Sequence, residues 1–350
     1  MPAVSATPIQ PAAAAASAKA KVAIAKAESY EPALLQQKIQ EMLDGIGGLK
    51  DVVRPGDKIA IKINMTGGMN FKPPAGASAI ESYITHPEVV RTLGGFLKDA
   101  GAGQLFIVEA LYDMESYNQW GFADVVKSLG ATLVDLNKPD PYPGFVKLPV
   151  GNGAFIYQEF TANQILQDVD VFVSVSKMKC HYLAGVTHTM KNLVGMVPVS
   201  EYRLNPSDWW RSAIHGAEAG HVRIPRVIVD LNRARPIHLG LIDGIKASQG
   251  GEAPRGSFSL IEPQVLFAGK NVVATDTVAT AAMGFDPRAS YPNAPFLHGD
   301  NHLELAYEMG LGTNRLEEIE VVGASIDSVR KQFSPSTKES FDFRHGHTIA

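Results

Sequence analysis

The chain has 350 residues, 45% of them hydrophobic and 19% charged, with a formal net charge of −4. That is enough apolar material for a large core, and the mildly acidic balance points away from nucleic acid or an anionic membrane as the main partner. The lone cysteine, Cys180, excludes disulfide frameworks, zinc ribbons and cysteine-held iron–sulfur clusters within one chain, and no apolar run reaches the ~18 residues of a membrane span.

Residues 1–20 are rich in Ala, Pro and Ser and lack a charged segment leading into an apolar core. They read as a disordered leader, not a secretion signal, and the composition favours the cytoplasm. Residues 21–140 read as an N-terminal α/β half. KVAIAKA at 21–27 is a strand, and Leu34, Leu35, Ile39, Met42, Leu43 and Ile46 fall at helical spacing before Gly47-Gly48. KIAIKIN at 58–64 alternates as a strand. The Gly/Pro-rich stretch 64–82 is expected as a loop that covers or walls a crevice. Thr85-His86-Pro87-Glu88 predicts a helix start with Thr85 as cap and Pro87 in the first turn. Strands at 104–109 and 132–136 flank a helix at 123–129. This alternation predicts a parallel sheet with right-handed crossovers.

Short apolar stretches split by turns at 141–160 predict a hairpin-like insertion. Residues 161–325 read as a C-terminal α/β half, with strands at 238–243, 264–268 and 318–322 and helices at 224–233, 271–283 and 302–309. A Gly-rich loop is expected over 244–256 and a loose tail over 326–350, which holds the two histidines of RHGHTIA. The expected fold class is α/β: a mostly parallel, Rossmann-like sheet with flanking helices and a small β-rich insertion. No GxGxxG follows a strand, and no Walker loop, HExxH or GxSxG is present.

The centre of the chain is VFVSVSKMKCHYLAGVTHTMKNLVGMVP at 171–198. Its apolar start reads as a buried strand ending at Ser176, followed by Lys177, Lys179, Cys180, His181, Thr187, His188, Thr189, Lys191 and Asn192. The end of a buried strand is where an α/β sheet opens its ligand crevice. A lysine there serves as an anion clamp, a nucleophile or a covalent anchor, and a histidine as a base or a metal ligand. Lys177, Lys179, His181 and Lys191 are therefore the catalytic candidates. Asn64, Thr187, His188, Asn192, Asp243 and Asp276 are the binding candidates. Glu109, Asp243 and His181 are the candidate metal ligands. Asn64, Glu109 and Asp243 each fall at a predicted strand end, whereas Asp276 sits at a helix opening and is read either as a cap or as a site residue. Trp209, Trp210 and Tyr202 read as an apolar wall or as core.

Three ordered blocks, SKMKCHYLAGVTHTMKNLVGMVP, LIDGIKASQGGEAPRG at 241–256 and GKNVVATDTVATAAMGFDP at 269–287, resemble the domain of unknown function 362 family over roughly residues 57–325. Ser176 stands where that family usually has Pro, and Ala253-Pro254 where it often has Gly-Pro. Many relatives append a ferredoxin-like segment with two four-iron clusters; the single cysteine here means that this electron-transfer role does not carry over. CHYLAGVTHTMKNLVGMVP is also similar in layout to a block of the nickel-pincer lactate racemases, in which a lysine anchors a modified pyridinium dinucleotide and a histidine assists catalysis. The resemblance implies Lys191 as the anchor and His181 as the histidine, with His188-Thr189-Met190 in place of that family's Gly-Gly-Arg. Both patterns put His181 and Lys191 first among the candidates.

The expected function is an enzyme acting on a small anionic or hydroxylated substrate by lysine/histidine acid–base chemistry, of isomerase, racemase or lyase type. Two alternatives stay open: a non-catalytic binding protein for a phosphorylated or carboxylated ligand, and a redox enzyme working with a separate electron-transfer partner. The cofactor is left between a divalent metal and a lysine-anchored organic group. The expected partner is a small molecule, without nucleic acid or membrane, and a homo-oligomer stays open.

Overall fold

The computed structural model describes residues 19–73, 76–216, 220–252 and 258–337. In chain order, β1 (Ala20–Lys26) leads through α1 (Pro32–Gly45) to β2 (Lys58–Lys62), α2 (Pro87–Asp99) leads to β3 (Gln104–Glu109), and α3 (Met114–Gln119) with α4 (Phe122–Leu129) leads to β4 (Thr132–Asp135). A hairpin of β5 (Val146–Pro149) and β6 (Glu159–Ala162) and one helical turn, α5 (Ile165–Asp168), precede β7 (Val171–His181), β8 (Gly185–Thr187) and a 3-10 segment over Lys191–Met196. Then come α6 (Ser212–His215), α7 (Gly220–Ala234), β9 (Leu239–Gln249), β10 (Ser259–Ile261), β11 (Val265–Gly269), α8 (Val272–Ala282), α9 (His302–Glu308), β12 (Ile319–Gly323) and α10 (Ile326–Val329).

The main sheet runs β12-β1-β11-β9-β7-β2-β3-β4, with β8 paired to β7 and β10 to β9. Strands β9, β7, β2, β3 and β4 are mutually parallel, as are β12 and β1. β11 is antiparallel to both β1 and β9. The fold is a mostly parallel mixed sheet flanked by helices. Val171, Val173 and Val175 of β7 pack on the face covered by α1, α2 and α4. Phe172 packs on the other face with α7, and Met178 and Cys180 pack there with α8. Period-two alternation thus feeds two helical layers, which is why this strand reads as continuously apolar. Among the described residues no helix is long and apolar enough to cross a membrane.

Strand order positions the site. From β2 the chain builds outward through β3 and β4; β7 then returns to the opposite side of β2 and leads to β9. The direction of winding reverses between β2 and β7, and ligands of open α/β sheets bind beyond the strand C-termini at such a reversal.

Several boundaries differ from the sequence reading. β7 does not stop at Ser176 but continues to His181, because Lys177, Lys179 and His181 all find buried partners and so keep the alternation going with polar residues. β8 pairs with this extension, setting Lys179 opposite Thr187. β9 likewise runs past Asp243 to Gln249, so part of the expected Gly-rich loop is strand, and its register against β7 shifts between Lys177 and Lys179. The cap of α2 is His86, whose Nδ1 accepts from Glu88 N at 3.2 Å; Thr85 instead donates to Val175 O and accepts from Asn64 N. The stretch after β12 packs onto the body through buried Phe333, whose N–H donates to Met283 O. Residues 1–18 and the histidines of RHGHTIA lie outside the described residues.

Asp276 is not the cap of α8; Asn271 is, accepting from Ala274 N at 3.0 Å. Asp276 lies within the helix and accepts from Thr189 N at 3.0 Å, Thr189 Oγ1 at 2.5 Å and Met190 N at 2.9 Å. It pins the chain immediately before Lys191. Asp276→Ala strands three buried donors and is expected to destabilise the protein by about 3 kcal/mol, seen as a lower urea midpoint at an unchanged m value.

Candidate functional site

A cavity of ≈ 100 Å³ opens beyond the C-termini of β2, β3 and β7. Its floor is a buried polar lattice. Lys62 Nζ donates to Glu109 Oε2 at 2.9 Å and to Ile63 O at 2.6 Å. Glu109 also accepts from Met65 N and Ala110 N, both at 3.1 Å. Asn192 Oδ1 accepts from Asn64 Nδ2 at 3.2 Å, while Asn192 Nδ2 donates to Lys62 O and Ser174 Oγ. Lys179 Nζ donates to Asn64 Oδ1 at 3.0 Å and to Tyr83 O at 2.8 Å. The segment Lys191–Met196 closes over this lattice, and Gly195 makes that approach feasible: a Cβ there would lie 2.4 Å from Glu109 Oε1 and 2.8 Å from Lys62 Nζ.

Cations outnumber carboxylates around the cavity. Lys62, Lys179, Lys191 and Arg211 line it, against Glu109 and Glu252. Among the described residues, only Lys62 of these four has a carboxylate within ion-pair distance. Arg211 is buried and donates to the carbonyls of Val197 and Ala110 and to Tyr112 OH. Lys191 Nζ has no hydrogen-bond partner among the described residues, and neither does the buried Thr187 Oγ1. Burial, with the Lys62 and Arg211 charges and against that of Glu252, lowers Lys191 to about 8. Burial and then Lys191 hold Lys179 well below the usual lysine range. Burial lowers Lys62 and raises Glu109, each opposed by the partner's charge.

His181 is locked in one tautomer. Its Nδ1 accepts from Leu183 N and Ala184 N, both at 3.2 Å, so the ring proton sits on Nε2, 3.2 Å from Glu252 Oε2. Burial first, then Lys191, His215 and Lys179, hold its pKa well below the usual histidine value. This ring is a neutral hydrogen-bond donor. The sequence offered it as a base or metal ligand, but to expose a lone pair at Nε2 the proton would have to move to Nδ1, against two backbone N–H groups.

Of the other candidates, Lys179, Lys191, Asn64, Thr187, Asn192 and Glu109 line the cavity together with His181. Lys177, Asp243, His188 and Asp276 do not. Lys177 Nζ is held by Asp243 Oδ2 at 2.6 Å, Tyr30 OH at 3.0 Å, Ile80 O at 3.0 Å and Lys246 O at 3.1 Å. Asp243 also accepts from Tyr30 OH and His86 N. This is a buried structural bridge joining β7, β9 and the start of α2, with no free group for substrate. His188 is buried with both ring nitrogens unpartnered among the described residues. The proposed metal set does not fit. Asp243 faces Lys177, Glu109 is filled by Lys62 and two backbone donors, and no group of three or more His, Cys, Asp or Glu side chains converges among the described residues. A lysine-anchored organic cofactor would use Lys191, the amine open to the cavity.

Arg211, Glu252, Tyr112 and His215 also line the cavity and are not among the sequence candidates. Lys62 lines it too; the sequence ranks it below Asn64, two residues on, because Asn64 stands at the crevice end of the same alternating strand. Trp209 and Trp210 form the wall that the sequence left open, while Tyr202 packs under the hairpin, its OH accepting from Thr161 N. The loop 64–82 is a wall of the crevice, contributing Thr66, Gly67 and Phe71.

The thylakoid-associated protein sll1697 of Synechocystis sp. (strain ATCC 27184 / PCC 6803 / Kazusa) is 27% identical over 263 residues, covering 75% of this chain and 74% of that protein. Among solved structures, the lactate racemase apoprotein from Thermoanaerobacterium thermosaccharolyticum matches at a TM-score of 0.41 and 15% identity, over 73% of this chain and 54% of that one. A Thermotoga maritima protein solved by structural genomics matches at 0.35 and 11% identity, over 68% and 56%. The chain thus spans about half the length of these two structures. The model of a domain of unknown function, DUF362, matches residues 59–281, most of the sheet and every strand that builds the cavity, and the chain belongs to that family.

Proposed function

We propose that this cavity binds a small oxyanion and moves a proton on the carbon beside it. The observation that carries the reading is Lys191: an amine open to the cavity, without a hydrogen-bond partner among the described residues, and lowered to about 8 by burial and neighbouring cations. Such a group holds both its protonation states near neutral pH, which acid–base catalysis needs. The excess of cations over carboxylates favours an anionic ligand.

The roles follow from what each side chain is free to do. Arg211 and Lys179 hold the oxyanion, since neither has a carboxylate within ion-pair distance among the described residues. The free amine of Lys191 takes a proton from the adjacent carbon. The C–H electron pair moves toward the substrate oxygen, and His181 Nε2–H donates to that oxygen as its charge grows. A neutral imidazole suits this task, because its proton is offered without being given away. Return of the proton from Lys191 to a second carbon of the delocalised anion completes an isomerisation. Lys62 and Glu109, already paired, fix the floor on which Asn64 and Asn192 align Lys179. The same cations would also hold a ligand without turning it over, and exchange with solvent separates the two readings.

Lys191 is expected to react with acetic anhydride along a pH profile with an apparent pKa of about 8, measured by competitive labelling and mass spectrometry; a profile near the ordinary lysine value would remove the base from the scheme. Because its charge is present below that pKa and lost above it, anion affinity should fall as pH rises through 8, and Lys191→Met should flatten that slope. In D2O, the tightest-binding carboxylate of a small panel should gain deuterium beside its carboxyl group with the wild type and not with Lys191→Met. Binding without exchange would favour the non-catalytic alternative. His181→Gln, which keeps a donor in reach, should retain exchange within about tenfold, whereas His181→Ala should lose about a hundredfold.

A further inference from the structure

The cavity changes character from floor to mouth. Lys62 is 0% exposed and Lys179 1%, whereas Trp209 at the rim is 38% exposed. Trp209 is held edge-on by two other aromatic rings, Tyr112 at 5.4 Å between centroids and Phe71 at 6.2 Å. All three line the cavity, as does the buried Trp210. The rim is also tied to the floor: Phe71 O accepts from Tyr83 OH at 2.8 Å, and Tyr83 O accepts from Lys179 Nζ at 2.8 Å. On the other side, the Arg211 guanidinium lies 5.8 Å from the Tyr112 ring. A compact anion reaching the lysines would leave these aromatic faces unused. Large aromatic surface beside a few convergent polar groups is the usual composition of a site for a ligand with an apolar body.

Building on the oxyanion reading above, we propose that the site selects an oxyanion held one carbon from a flat, unsaturated ring, an arylacetate or an arylmethyl phosphate. Its charged group lies among Lys179, Lys191 and Arg211, and its ring lies among Phe71, Tyr112 and Trp209. The floor supplies charge and the rim supplies shape. Thr187 Oγ1, buried in the cavity wall without a partner among the described residues, supplies one more polar contact to the head.

The test is calorimetric titration of the full chain with phenylacetate, benzyl phosphate, cyclohexylacetate, acetate and inorganic phosphate at pH 7. Phenylacetate should bind at least about tenfold tighter than acetate, or benzyl phosphate at least about tenfold tighter than inorganic phosphate, and the flat ring should beat the puckered cyclohexane. The winning pair tells a carboxylate head from a phosphate one. Trp209→Ala should bring the ratio of phenylacetate to acetate affinity, or of benzyl phosphate to inorganic phosphate affinity, close to one in a protein whose circular dichroism matches the wild type, while Trp209→Phe should keep most of the ratio. If aromatic and compact anions bind alike, or if Trp209→Ala changes nothing, the ring-binding rim is wrong and the oxyanion reading survives. If no anion binds, both fail.

Discussion

Among the described residues, three lysines and an arginine share one small cavity with two carboxylates, and only Lys62 of the four is within ion-pair distance of a carboxylate. Burying charge without a counter-charge is unfavourable, and amines respond by giving up protons. Lys179 and Lys191 do so, and the surrounding architecture holds them there. Lys62 keeps its partner, Glu109, and that pair fixes the floor. Asn64 and Asn192 bridge it to Lys179 through neutral amides, which orient the amine without supplying a counter-charge. The result is a cavity in which, among the described residues, amine and guanidinium groups outnumber carboxylates.

The backbone builds this excess in two moves. The reversal of winding between β2 and β7 brings Lys62 and Asn64 beside Lys179 and His181, residues more than a hundred positions apart. The extension of β7 past its apolar half then carries lysines on the inward side of a strand. Two of them have opposite fates: Lys177 meets Asp243, Tyr30 and two carbonyls and becomes a structural bridge, while Lys179 meets only neutral groups. Asp276 and Gly195 complete the arrangement, one anchoring the chain before Lys191 and the other letting the chain after it lie flat on the floor.

Much of this was legible in the sequence. Apolar alternation located the parallel strands, helical spacing located α1, α2 and α8, and turn-rich composition located the hairpin. The concentration of lysine, histidine and Asn after Val175 located the crevice. What alternation could not show was where polar residues keep a strand going, because a buried lysine has the same letter as an exposed one; hence the misplaced ends of β7 and β9. Pairing was equally hidden. Lys177 and Asp243 look like site residues until their long-range contact is seen, and Arg211 and Glu252 look like surface charges until the fold closes around them. The tautomer of His181 depends on two backbone N–H groups, which no residue type encodes.

The most direct test of the central claim is proton uptake on anion binding. Amines held partly deprotonated by burial and mutual repulsion must recharge when an anion arrives, since pKa and affinity are linked. Titration of the protein with sulfate at pH 8, in two buffers of different ionisation enthalpy, reads that uptake from the difference in heat. The account predicts uptake of about half a proton or more per anion bound, given Lys191 at about 8, with most of it lost in Lys191→Met. Binding with no proton uptake would show that the cavity amines are fully charged beforehand, and would contradict the account.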